Sequence, residues 1–169
     1  MKKIRAFSIL LLTGILLTAC TIKKPPQNLQ MKGTGEFNKR TISFKVDTSL
    51  PENAKLNLSI QDEDSKKIIF HTILLTDKYG GVSKKIPVDV GNKKLISLLL
   101  FDPEVQSKTI QDKFGEYGQN IRPTLNGYIK KKKDGKEISY IRLYGNFLKF
   151  GKLSTGGYIV FASEKIKSE

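Results

Sequence analysis

The segment Thr41-Ile42-Ser43-Phe44-Lys45-Val46 alternates polar and apolar residues without a break. A strand turns successive side chains to opposite faces, so this spacing puts Ile42, Phe44 and Val46 on one face and Thr41, Ser43 and Lys45 on the other. It predicts a half-buried β-strand. The alternation returns in Leu56-Asn57-Leu58-Ser59-Ile60, after a turn signal at Ser49-Leu50-Pro51-Glu52-Asn53. Two continuous apolar runs of strand length follow, over 68–75 and 95–101, the pattern of strands covered on both faces. Gly80-Gly81 marks a turn between Tyr79 and Val82. Toward the C-terminus, strands over 125–130 and 137–144 flank Lys131-Lys132-Lys133-Asp134-Gly135-Lys136, and Asp-Gly is a hairpin signal. Gly157-Tyr158-Ile159-Val160-Phe161 supplies a last strand. Short strands spaced by turns predict a mainly β fold, an antiparallel β-sandwich with a C-terminal β-hairpin extension.

One short helix is expected over 103–114. Asp102 suits the N-cap, Pro103 the first helical position and Glu104 the positive end of the helix, while Lys113 followed by Gly115 is a stop signal.

The N-terminus has a different character. Lys2, Lys3 and Arg5 precede an apolar run over 6–17, which is the layout of a secretory signal peptide. A membrane-crossing helix needs about 20 predominantly apolar residues, and this run stops short at Leu17-Thr18-Ala19-Cys20. Those four residues resemble the lipobox of bacterial lipoproteins, in which small residues precede a cysteine that receives a diacylglyceryl group before cleavage. The resemblance implies a lipoprotein signal peptide over 1–19, removed on export, and lipidation of Cys20. Cys20 is the only cysteine of the chain, so it has no internal disulfide or metal-cluster role open to it. Two acyl chains, each contributing about 0.8 kcal/mol per buried CH₂, hold a protein on a bilayer without a transmembrane helix. The implied location is the extracytoplasmic face of a cell membrane. After Cys20, the paired prolines and low apolar content of 20–35 predict a flexible tether, and 36–169 is long enough for a single β-rich domain.

Removal of residues 1–19 takes Lys2, Lys3 and Arg5 from the 30 basic residues and leaves 27 against 16 acidic ones, a formal surplus of 11. Positive charge at an outer surface suits anionic partners, such as phospholipid headgroups or a phosphate-rich wall polymer; the plain alternative is solubility. Lysine outnumbers arginine 26 to 4 and tryptophan is absent, a bias of AT-rich genomes that points to a Gram-positive source.

A second resemblance covers about half of the chain. Residues 41–51, ending Thr48-Ser49-Leu50-Pro51, then Asp77-Lys78-Tyr79-Gly80-Gly81-Val82, Phe101-Asp102-Pro103-Glu104-Val105-Gln106 and Lys113-Phe114-Gly115-Glu116-Tyr117-Gly118-Gln119-Asn120 look like a small Ig-like domain of Gram-positive surface lipoproteins. It implies an Ig-like β-sandwich and carries over no catalytic residue. Where that family has Gly-Thr after its Leu-Pro, this chain has Glu52-Asn53-Ala54.

Most catalytic constellations lack their parts. His71 is the only histidine, and alternation puts it beside Ile69, Ile73 and Leu75, as a histidine packed at a sheet edge rather than a triad base. Asp62-Glu63-Asp64 has neither the length nor the turn glycine of a calcium loop and reads as a solvated hairpin tip. The glycines match neither GxxxxGK[ST] nor GxGxxG. No catalytic residue, metal site, cofactor or small-molecule substrate is therefore expected. What remains is Lys130, Lys131, Lys132, Lys133 and Lys136, with Tyr128, Tyr140, Tyr144, Phe147 and Phe150 nearby, as a candidate anion-binding hairpin. The competing use is structural, since lysines keep an exposed strand edge from pairing and the aromatics would be core. The sequence thus predicts a membrane-anchored, non-enzymatic binding module for an anionic partner. The alternative is a structural or accessory lipoprotein of a transport, conjugation or phage-exclusion system, acting through a protein partner.

Overall fold

The structure is a computed structural model that describes residues 24–90, 93–151 and 154–164. The expected signal peptide over 1–19 and Cys20, the expected lipidation site, lie outside the described residues. The strands are β1 (Met31–Phe37), β2 (Thr41–Thr48), β3 (Lys55–Asp62), β4 (Ile68–Leu75), β5 (Gly81–Pro87), β6 (Leu95–Phe101), β7 (Tyr128–Lys133), β8 (Lys136–Lys149) and β9 (Gly157–Ala162), with helix α1 (Lys108–Phe114) between β6 and β7. All nine belong to one antiparallel sheet in the order β4-β3-β6-β8-β9-β1-β2-β5, with β7 added to β8 off that path. The fold is mainly β, as expected. The sheet curls until it is nearly closed, and its terminal strands β4 and β5 are consecutive in the chain but are not hydrogen-bonded to each other.

Closure follows from the alternation. Ile42, Phe44 and Val46 of β2, Leu56, Leu58 and Ile60 of β3, Leu99 and Phe101 of β6, Ile141 and Leu143 of β8 and Ile159 of β9 all turn inward and are buried. A flat sheet would leave this face in water, and burying one such side chain gains about 1.5–3 kcal/mol. Curling the sheet turns these residues toward one another; along its inner face Phe44 and Phe161 meet at 5.8 Å across the glycines of β1, and Phe37 and Phe147 at 5.2 Å across β9.

Strand β1 begins at Met31 and pairs with both β2 and β9, so the stretch expected to be tether up to residue 35 is partly sheet. Its inward positions are Met31, Gly33, Gly35 and Phe37, and the two glycines break the apolar alternation in the sequence. They are needed for space: a Cβ on Gly33 would lie 2.7 Å from the Phe161 ring, and one on Gly35 2.7 Å from the Ser43 carbonyl oxygen. Earlier still, Gln27 bridges Ile121 and Leu29 is buried.

The helix expected over 103–114 is split in two. Pro103–Val105 is a 3₁₀ turn capped by the Asp102 carboxylate, and α1 begins only at Lys108. Gln106, extended between them, explains the break. Its side-chain oxygen accepts from Lys55 N at 2.8 Å and its amide donates to Lys55 O at 2.9 Å, so it continues the hydrogen bonding of β3. Past it, α1 buries Ile110 and Phe114, the latter 5.3 Å from Phe101, and Gly115 ends it at φ 84°.

The registers define two ends of the curled sheet. One, the entry end, collects residues 24–30, the turns before β3 and β5, the 102–127 segment with α1, and the start of β8. The far end collects the turns at 38–40 and 63–67, the segment after β5 and the start of β9.

Candidate functional site

The expected hairpin forms, with Asp134 at φ 51° and Gly135 at φ 78°, the paired positive angles that a two-residue turn between twisted strands requires. Strand β8 is 14 residues long. Residues Ile141–Asn146 pair with β6, joined by β9 on the other side only from Tyr144, whereas 136–140 pair with β7 as their only strand neighbour, so the hairpin projects from the sheet at the entry end.

Strand geometry divides the lysines. Residues opposite one another across β7 and β8 share a face, so Lys131 lies with Ile138, and Lys133 with Lys136, on one side, while Lys130 and Lys132 lie with Ser139 and Glu137 on the other. Acids then temper the charge. Lys130 Nζ meets Glu137 at 2.8 Å and Lys133 Nζ meets Glu104 at 3.2 Å. Lys136 Nζ donates to the Tyr117 hydroxyl at 2.7 Å. The Glu137 contact raises the pKa of Lys130 and is mirrored by a Glu137 carboxyl held below its ordinary value, and the Tyr117 bond raises that of Lys136. Lys130, Glu137 and Lys136 are solvent-exposed, and water screens such pairs strongly. Lys131 lies over the Tyr140 ring at 5.1 Å.

The Lys131 and Lys133 side of the hairpin overhangs a groove of about 390 Å³ on the outer face of the sheet. Its apolar floor is Leu98, Leu100 and Ile138, and Asn57 and Ser59 of β3 and His71 of β4 bound it opposite the hairpin. Tyr140 and Arg142 project from β8, with the Arg142 guanidinium 5.0 Å over the Tyr144 ring. Arg142 Nε is buried without a hydrogen-bond partner. The two carboxylates in the lining are occupied: Asp102 accepts from Glu104 N at 3.0 Å and Glu104 holds Lys133. Lys131 and Arg142 are left as the cations of the groove without a carboxylate partner among the described residues.

The groove therefore unites part of the expected set with residues outside it. Lys131 and Lys133 are in its lining; Lys130, Lys132 and Lys136 are not. Among the aromatics, Tyr140 faces the groove, Phe147 packs against Phe37 in the core, and Phe150 lies beside Tyr158, 73 % exposed, at the far end. Arg142 was legible only as a strand residue, because its place depends on the register of β6 against β8. His71 occupies the edge strand as expected, but its face is open. Ile73 and Leu75 are 53 % and 52 % exposed, so the long apolar run of β4 marks an edge and not a covered strand. Asp62 accepts from Ser65 N and Oγ within the β3–β4 turn, and those bonds hold its carboxyl below the ordinary value.

No helix among the described residues is long and apolar enough to cross a membrane, and no group of three or more His, Cys, Asp or Glu side chains there is placed to hold a metal ion. No protein-family model, curated protein or solved structure matches the chain.

Proposed function

We propose that the chain is an extracytoplasmic lipoprotein, held by lipid on Cys20, whose body is a non-enzymatic binding module for an anionic, phosphate-bearing partner. The anchor rests on Leu17-Thr18-Ala19-Cys20 and the signal-peptide layout ahead of it. The binding role is carried by one observation: Lys131 and Arg142, each stacked on a tyrosine and neither matched to a carboxylate, stand over the apolar floor of one groove. A buried donor left unpaired costs about 1–3 kcal/mol, and an anion seated on the guanidinium would offset part of that at Arg142. The finer description of the body is an Ig-like sandwich, with the curled sheet flattened into two facing layers; one continuous core drawn from strands far apart in the sheet, Leu56 and Leu58 of β3 with Ile42 and Val46 of β2, supports it.

Long-chain polyphosphate is the probe. Its binding should weaken steeply from 50 to 200 mM salt, as counterion release requires, and Lys131→Gln with Arg142→Gln should weaken it about ten-fold or more, as the loss of two charge-assisted contacts implies. Lys130→Gln, on the other side of the hairpin, should change it less than about two-fold. Equal affinity of the double variant and the parent would sink the reading. An accessory role through a protein partner draws support from a different place, the exposed Ile68, Ile73 and Leu75 on the open edge strand β4.

A further inference from the structure

The chain reaches the body at the end that also carries α1 and the hairpin. Lys24 Nζ donates to the Asp112 carbonyl of α1, Gln27 N donates to Asn120 O at 2.6 Å, and Arg122 N donates to Gln27 O at 3.1 Å. From there the loop runs directly to the hairpin, where Ser139 N donates to Tyr117 O at 2.8 Å and Lys136 bonds the Tyr117 hydroxyl. Entry segment, helix and hairpin base are thus neighbours.

Covalent geometry limits how far this end can stand from an anchor on Cys20. Four residues on from Cys20 is Lys24, and at no more than about 3.5 Å per residue their Cα atoms are at most about 14 Å apart. The polar layer on each side of a bilayer is itself about 5–7 Å thick. A tether ending at residue 35 would let the domain float; one ending at Lys24 does not. The charge at this end also fits. Lys24, the turns 49–54 and 76–80 and residues 102–137 together hold ten cations and eight carboxylates, so it is the placing of the unpaired cations, rather than the net charge, that fits. Three of those carboxylates, Asp112, Glu137 and Glu104, are paired with Lys108, Lys130 and Lys133. Lys24, Lys113, Arg122 and Lys132 are exposed and have no carboxylate within ion-pair distance among the described residues.

The geometry points to a fixed orientation: the entry end rests on the headgroup layer of the membrane that holds the anchor, with Lys24, Lys113, Arg122, Lys132 and Lys136 against the phosphates of anionic phospholipids. This rests on the lipoprotein reading of Cys20. The far end, with Lys39, Arg40 and the exposed Phe150, then faces away from the bilayer, and a ligand in the Lys131–Arg142 groove lies along the side of the body just above the headgroups. Each lysine or arginine seated at an anionic surface multiplies the occupancy of this orientation about five-fold.

The test uses the anchored form isolated from cells producing the full chain, reconstituted in vesicles of phosphatidylglycerol with phosphatidylcholine or of phosphatidylcholine alone. A membrane-impermeant amine-acylating reagent reports each lysine, with the detergent-solubilised protein as reference, and mass spectrometry of the N-terminal peptide reports the state of Cys20. The expected result is that Lys113 and Lys132 are protected about five-fold or more in the anionic vesicles, while Lys39 and Lys149 label as in detergent, and that this protection falls in the neutral vesicles. If Cys20 carries diacylglycerol but Lys113 and Lys132 label as fast as Lys39 and Lys149, the orientation is wrong and the lipoprotein reading stands. Equal protection in both kinds of vesicle overturns the anionic headgroup as the partner. A Cys20 without lipid overturns both readings at once.

Discussion

Strand β8 is one continuous strand with two different surroundings, and its halves are held by different physics. Over 141–146 it pairs with β6 throughout and from Tyr144 with β9 as well, and Ile141 and Leu143 are 1 % exposed in the core. Over 136–140 its one strand neighbour is β7, and apart from the buried Ile138 and Ser139 the side chains that meet there are largely charged and exposed. Burial sets the first half, where every atom has a fixed neighbour. Exposed ion pairs and stacked rings dominate the second, where water competes for the charged contacts. The contrast teaches where sequence change is tolerated: the inner half carries stability, and the outer half is free to carry recognition.

The largest effect should come from the inner half. Leu143→Ala removes a side chain packed on all sides and should cost about 2–5 kcal/mol, read as the shift of a denaturant midpoint at unchanged slope. A loss under about 1 kcal/mol would place Leu143 outside the cooperative core. Next in size is Gly145→Ala. A Cβ there would lie 2.9 Å from the Phe161 ring and 2.9 Å from Ser97 Cβ, an overpacking expected to cost about 1–3 kcal/mol. Adding Phe161→Leu should recover part of that loss, and a double variant no more stable than the sum of the singles would show the clash is relieved by another route.

The smallest effects belong to the outer half. Glu137→Gln breaks the contact with Lys130 and should leave the thermal midpoint where it was, since both groups are solvent-exposed. Its signature is in titration. The Glu137 carboxyl is depressed below 4.5 by Lys130, so its contribution to stability is present above pH 4.5 and is lost as pH falls through the lower folded value. Lys130 and Lys136 are raised above 10.5, by Glu137 and Tyr117, so theirs is present below pH 10.5 and lost as pH rises through the higher folded values. Resolved by NMR, the Glu137 midpoint should rise toward the ordinary carboxyl value in Lys130→Gln, with Lys132 left as the lesser cause; a midpoint that does not move would assign the depression to another group.

The same divide separates what could be read from residue order from what could not. Strands β2 and β3 were legible because burial on one face writes a period of two into the chain, β6 because burial on both faces leaves a continuous apolar run, and the Asp134-Gly135 turn because few residues accept two consecutive positive φ angles. Strand β1 was hidden, because Gly33 and Gly35 keep space for Phe44 and Phe161, and a side chain that must be absent leaves no apolar signal. Strand β5 was hidden by Lys84, which pairs opposite the inward Phe44 but stays exposed at the unpaired end of the sheet. Gln106 split the expected helix through a bond to Lys55, 51 residues away, and no local propensity anticipates such a partner.

The candidate site divides in the same way. The lysine run, the hairpin signal under it and the lone cysteine after Leu17-Thr18-Ala19 are local features, complete in a few consecutive residues. Which lysines meet Glu137 and Glu104, and which stand with Arg142 over Leu98 and Leu100, follows from the registers of β7 and β6 on β8. Strand register is a long-range choice, made by the fit of whole faces against one another, because a slip of one residue would turn every side chain to the wrong side.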